Sequence, residues 1–213
     1  HERLAAFQGP ALLVHNDGVF SDQDFDSIQN IGDSQKKGLL VKTGRFGIGF
    51  NSCYHVTEMP TFLSRDKLVM FDPQAKYLPD VNPANPGKSL NVCSASVHEH
   101  YADQLEPYRA FGVDFRGPYK GTLFRLPLRL AEQAKHSKLS AQCYTEESLL
   151  PLLRDFAEDA QHSLLFLKNV SSIEVCVWSD HSQKKPSVLW TCAIGNLSKQ
   201  LRDLRSRIAV SVA

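Results

Sequence analysis

The chain has 213 residues and 24 Lys+Arg against 23 Asp+Glu, a formal net charge of +1 that argues against a polyanion binder driven by bulk charge. With 42% hydrophobic, 22% charged and 9% aromatic residues it has the composition of an ordinary globular protein, neither disordered nor fibrous. Apolar runs stop at about five residues, too short to span a bilayer, and the five cysteines, without a CxxC pair, give neither a disulfide framework nor a zinc knuckle and point to a reducing, intracellular compartment.

Beginning at His1 without a leader-like stretch, the sequence is expected to be an excerpt from something longer. Ala11-Leu12-Leu13-Val14 follows Gly9-Pro10 and predicts a short buried strand running into the tight turn Asn16-Asp17-Gly18. A helix comes next: Ser21 caps it, Asp24 is its capping-box acid, and Phe20 and Phe25 are spaced for a hydrophobic staple. Ile28 and Ile31 extend its apolar face until Gly32 ends it, and a polar stretch follows to Gly38. Residues 46–56 are predicted as a buried helix with apolar residues on most sides. Thr61 to Ser64 and Leu68 to Phe71 flank Arg65-Asp66-Lys67 as a β-hairpin. Four prolines between Asp72 and Ser89 predict an irregular loop. A short helix over 99–108 precedes a strand over 121–128, whose Pro127 marks an edge or a strand end.

Leu149, Leu152, Leu153, Phe156 and Ala160 recur at helical spacing, and 163–167, 173–178 and 188–194 are predicted strands. Helices and strands alternate without a βαβ rhythm. The fold class expected is therefore α+β, a two-layer sandwich with a mixed sheet and helices on one face.

Five of the 12 glycines (Gly32, Gly38, Gly44, Gly47, Gly49) fall between residues 32 and 49. The order Gly44-Arg45-Phe46-Gly47-Ile48-Gly49-Phe50 reverses the dinucleotide G-x-G-x-x-G and lacks the P-loop lysine, which disfavours both of those readings. Glycines just before a helix let backbone N–H groups approach phosphate oxygens, and the helix dipole adds partial positive charge. Lys36, Lys37, Lys42 and Arg45 stand close by in sequence. The bland alternative is a glycine turn needed only for close helix packing. Elsewhere, His98-x-His100 reads as a solvated pair, His55 as a packed histidine and Cys53 as a small hydrophobe. Two Trp residues give no stacking platform for nucleic acid.

Three separated elements occur in a fixed order: the strand ending in Asn16-Asp17-Gly18, the glycine loop after a polar segment, and the strand opening with Gly121-Thr122. This order resembles the GHKL or Bergerat ATPase fold of gyrase B, MutL, histidine kinases and the ninety-kilodalton heat-shock chaperones. The resemblance implies that Asn16, Asp17, Gly18 and Thr122 lie at the adenine and that Lys36 sits in an ATP lid bounded by Gly32 and Gly38. It implies likewise that Gly44, Arg45, Phe46, Gly47, Ile48, Gly49 and Phe50 hold the phosphates.

The long run from Thr43 to Pro60, together with Phe7-Gln8-Gly9-Pro10-Ala11-Leu12, Phe71-Asp72-Pro73 and Phe124-Arg125-Leu126-Pro127-Leu128-Arg129, resembles the sacsin family's repeated chaperone-like domains over most of residues 7–178. That resemblance implies a nucleotide-binding domain over 1–178, with 179–213 its final strand and tail or a linker. It also implies ATP or ADP with Mg²⁺ as ligand, heat-shock chaperones and client proteins as partners, and a cytoplasmic location without nucleic acid or membrane insertion.

Departures from the GHKL pattern matter as much as matches. Asn16 stands where the family has an acid, and Val19-Phe20 replaces its second glycine. The family's helix with a general-base Glu and a magnesium-holding Asn lies upstream of the first strand, and the one acid upstream of that strand here is Glu2. No catalytic residue can be named, and the metal ligand is expected upstream of His1. Either that helix precedes His1 or the fold lacks it. Two functions follow: a domain whose lid closes over bound ATP and hydrolyses it if the helix is present, or a degenerate, non-catalytic scaffold for protein interaction.

Overall fold

A five-stranded sheet organises the first of two units, His1–Thr145 and Glu146–Ala213, in the computed structural model. The described residues are 2–29, 48–167, 169–178 and 186–195. Lys36, Gly44, Arg45, Phe46 and Gly47, with Gly32 and Gly38, lie outside them.

The strands are β1 (Ala11–Asn16), β2 (Thr61–Arg65), β3 (Lys67–Phe71), β4 (Gly87–Asn91) and β5 (Tyr119–Pro127), in the order β1-β5-β2-β3-β4. The expected hairpin forms, with Ser64 opposite Lys67 and Arg65 at φ 55° in its turn. Pro127 is a strand end, as its missing N–H requires of a strand with neighbours on both sides. The irregular loop stops short of the expected Ser89, because residues 87–91 pair with β3 as β4.

Two features of the expected sheet are corrected. Every described pairing is antiparallel, not mixed; β2 and β3 meet through a tight turn, while β5 enters between β1 and β2 from far along the chain. Elements also cover both faces, because both side-chain sets of the central strands are apolar. Phe62, Val69 and Phe71 pack with Phe25 and Ile28 of α1 (Asp22–Gln29). On the other face Leu63, Leu68, Met70 and Leu123 pack with Leu105 of α2 (Ala95–Leu105), Leu4 and Phe7. Strand β1 is half-exposed rather than buried, since among the described residues it lies at the sheet edge with β5 as its one neighbour.

Helix α1 starts as its sequence requires. Asp24 N donates to Ser21 Oγ (3.3 Å) while Asp24 Oδ2 accepts from Ser21 N (2.9 Å), and the Phe20 and Phe25 rings meet edge-on at 5.4 Å. Beyond β5 lies a short helix, α3 (Ala131–His136).

In the second unit a 21-residue helix, α4 (Glu146–Phe166), accompanies a hairpin of β6 (Ser172–Val177) and β7 (Ser187–Ala193). Trp190 Nε1 donates to the Leu153 carbonyl at 2.8 Å. The strand expected over 163–167 is instead the end of α4, because Ala160 and Leu164, four residues apart and both buried, continue the helical period. Among the described residues no helix is long and apolar enough to cross a membrane.

Candidate functional site

The segment after β1 and the start of β5 are bound together as neighbours. Asn16 lies opposite Thr122 in the β1–β5 register, and Thr122 lies opposite Ser64 in the β2–β5 register. Asn16 Oδ1 accepts from Gly18 N at 3.0 Å, the side-chain turn that Asn favours, and a Cβ on Gly18 would stand 2.9 Å from that same oxygen. Thr122, fully buried, donates its hydroxyl to the Gly18 carbonyl at 2.7 Å and lies 3.0 Å from Ser64 Oγ. Ser64 in turn donates to the Gly121 carbonyl (2.9 Å) and accepts from Phe20 N (3.1 Å). Three segments far apart in sequence meet at two hydroxyls, and Asn16, Asp17 and Gly18 remain exposed.

The glycine run emerges into the described residues as a single α-turn, Ile48–Asn51, continued by a 3-10 turn, Ser52–His55. The longer buried helix expected here does not form: Gly49 and His55 are exposed, and Phe50, Cys53 and Tyr54 are half-buried. Phe50 anchors the turn on the sheet, 5.4 Å from the Phe71 ring and 6.4 Å from that of Phe124. Thr122 and Phe124 are two apart on one strand and therefore share a face. Asn16, Gly18, Thr122, Gly49 and Phe50 are accordingly brought to one side of the sheet, while the loop residues before Ile48 lie outside the described region.

Behind that turn sits a buried ion pair whose two partners have no exposed side-chain surface. The Arg129 Nε donates to Glu58 Oε1. Ser137 Oγ donates to the same carboxylate oxygen at 2.7 Å, and Gln74 Nε2 donates to Oε2. With no exposed surface and both carboxylate oxygens engaged by Arg129, Ser137 and Gln74, Glu58 ties the segment after the turn to the chain beyond β5. Burial pushes the Cys53 thiol up to about 12, which makes it inert as a nucleophile. His98 Nε2 and His100 Nδ1 contact the carbonyls of Val92 (2.7 Å) and Ser96 (2.8 Å), and no three His, Cys, Asp or Glu side chains converge as a metal site among the described residues.

Composition and spacing gave no role to Ser64, Glu58, Arg125 or Arg129. A signal existed for Arg125, which interrupts an otherwise apolar strand and must find buried acceptors, and a weaker one for Arg129, which follows Leu128 just past the strand end. Arg125, held below its ordinary basicity by burial, donates to the carbonyls of Phe7 (2.6 Å) and Gly9 (3.0 Å), tying the lead-in of β1 to β5. Nothing in its sequence position marked Ser64, whose role depends on which strand lies beside it.

Comparison with known proteins adds two findings. A family model described as a sacsin domain matches residues 1–189. Human sacsin is 38% identical over 176 residues, a stretch that covers 82% of this chain; the chain spans about 4% of that relative's length.

Proposed function

The chain belongs to the sacsin-domain family, and from that premise we propose that its first unit is a nucleotide-binding, chaperone-like domain of the GHKL type, with ATP or ADP as ligand. The observation that carries this reading is the hydrogen bond from Thr122 Oγ1 to the Gly18 carbonyl, on the sheet face where Phe50 seats the end of the glycine run. A base at the Asn16–Gly18 turn and phosphates at the glycine run need those elements side by side. Asn16 can donate its amide N–H to a ring nitrogen, and the neighbouring Asp17 carboxylate can accept from an amino group. Backbone N–H groups at the glycine run suit phosphate oxygens. Mg²⁺, when bound, would neutralise phosphate charge; its ligands come from outside the described residues.

In the larger protein this domain would couple nucleotide state to contacts with heat-shock chaperones and client proteins in the cytoplasm. Adding millimolar Mg²⁺-ATP or ADP to the full-length protein is expected to raise the melting temperature of this domain, by mass action on the folded state. An unchanged melting temperature would refute nucleotide binding.

One observation favours a second reading, a degenerate GHKL scaffold. The Asn16 side-chain Oδ1 is already taken by Gly18 N, which leaves that oxygen closed to a base. Asn16→Asp separates the two: binding that appears only in the variant marks the scaffold, and binding already present in the starting protein rejects it.

A further inference from the structure

Residue 129 closes off the turn that follows the glycine run. The carbonyls of residues 54, 55, 56 and 57 all end on it: Tyr54 and Thr57 (3.0 Å) accept from Nη2, His55 (2.7 Å) from Nη1, and Val56 (2.9 Å) from the backbone N–H. The remaining Nη1 hydrogen goes to the Gln142 carbonyl at 2.9 Å, and Nε–H goes to Glu58. A guanidinium has five N–H donors in a fixed fork. All five are used, so the group is saturated and cannot serve a ligand as well. The carbonyls at the end of a helical turn have no intrahelical partner, and here one buried cation collects them.

We propose that Arg129 is a positioning residue for the phosphate side of the site: it fixes the exit of the turn Ile48–His55 and thereby the height of Gly49 and Phe50 above the sheet. This rests on the nucleotide reading above. The turn is short, its Phe50 and Tyr54 rings meet in edge contact at 6.3 Å, and Ser52 Oγ donates to the Gly49 carbonyl at 2.6 Å, so a displacement at residues 54–57 has a direct route to Gly49. Asn16, Gly18 and Thr122 are held by hydrogen bonds that do not involve residue 129. Loss of the fork therefore loosens the phosphate side and spares the base side. Lysine keeps the charge but has three donors, and it cannot serve five acceptors.

Hydrogen exchange of the full-length protein, read by mass spectrometry on peptides from this domain, tests the proposal. In Arg129→Lys, amides of residues 49–57 are expected to exchange about tenfold faster, the loss of one to two hydrogen bonds, while residues 61–71 keep their protection. ADP should then protect the domain at about tenfold higher concentration, and adenosine at an unchanged one. The double variant Glu58→Met/Arg129→Met removes both charges, leaves no orphaned ion, and should give the same split. Equal weakening of ADP and adenosine, or faster exchange spread evenly over residues 49–71, would overturn the positioning role. Wild-type ADP binding that neither variant alters would overturn it alone, whereas no ADP protection in the wild type would refute the nucleotide reading and this role together.

Discussion

Gly121 is the glycine whose replacement the structure prices most directly. A Cβ built there would stand 2.9 Å from the Asn16 carbonyl oxygen, 3.2 Å from His15 Nε2 and 3.3 Å from Tyr119 Cε1. The nearest obstacle is backbone of the neighbouring strand, which cannot rotate away. The His15 ring is held as well, stacked on Phe111 at 4.7 Å. In Gly121→Ala, β1 must move away from β5 by several tenths of an ångström at the pair Asn16–Thr122. Overpacking of this kind costs about 1–3 kcal/mol, and the lower entropy of an unfolded alanine returns about 0.4–1 kcal/mol. The expected net loss is about 1–2 kcal/mol, a fall in melting temperature of roughly 2–8 °C. Gly117→Ala is the internal control, since a Cβ there meets nothing within 4 Å. Both tryptophans, Trp178 and Trp190, belong to the second unit. Unfolding should therefore be followed by circular dichroism or by exchange of β1 and β5 amides, not by tryptophan fluorescence. Equal stability of the two alanine variants would refute the reasoning.

Phe62→Ala removes a fully buried ring whose centroid lies 5.0 Å from that of Phe20, 5.3 Å from Phe124 and 5.9 Å from Phe25; a loss of about 3–5 kcal/mol is expected in urea unfolding. His15 is held below its ordinary basicity chiefly by burial, with Asp17 opposing. Below the ordinary histidine value of about 6.5 the unfolded chain therefore binds more protons, so stability is full above that pH and falls as pH drops through the folded value. His15→Gln should flatten this part of the melting-temperature profile between about pH 7 and pH 5. Iodoacetamide at mildly alkaline pH should label the exposed Cys143 and leave Cys53 unmodified, as read by peptide mass spectrometry.

Local chemistry was legible wherever it stayed local. Ser21, Asp24, Phe20 and Phe25 carry their helix start within six residues, and the hairpin around Arg65-Asp66 needs only its own turn. Periodicity misled at 163–167, where a short apolar run fits a strand and a helix end equally well. Burial of Ala160 and Leu164 on one helical stripe decides between them. The sandwich with helices on one face failed for a related reason. Alternation within Thr61–Ser64 and Leu68–Phe71 is apolar on both sides, and such a strand has no solvent face to leave open.

The motifs around Asn16-Asp17-Gly18, Gly49-Phe50 and Gly121-Thr122 marked their segments from sequence alone, and so did the family. A backbone conformation or a cap depends on residue type and near neighbours, which a sequence carries in full. Which partner each marked residue takes was decided by tertiary structure: Thr122 against Gly18 across more than a hundred residues, Ser64 between β5 and Phe20, and Arg129 on four successive carbonyls and Glu58. Those bonds need the strand order β1-β5-β2, which places residues distant in sequence about 5 Å apart, the spacing of paired strands. Pairing between distant strands is a property of the assembled sheet, and no local stretch of the chain contains it.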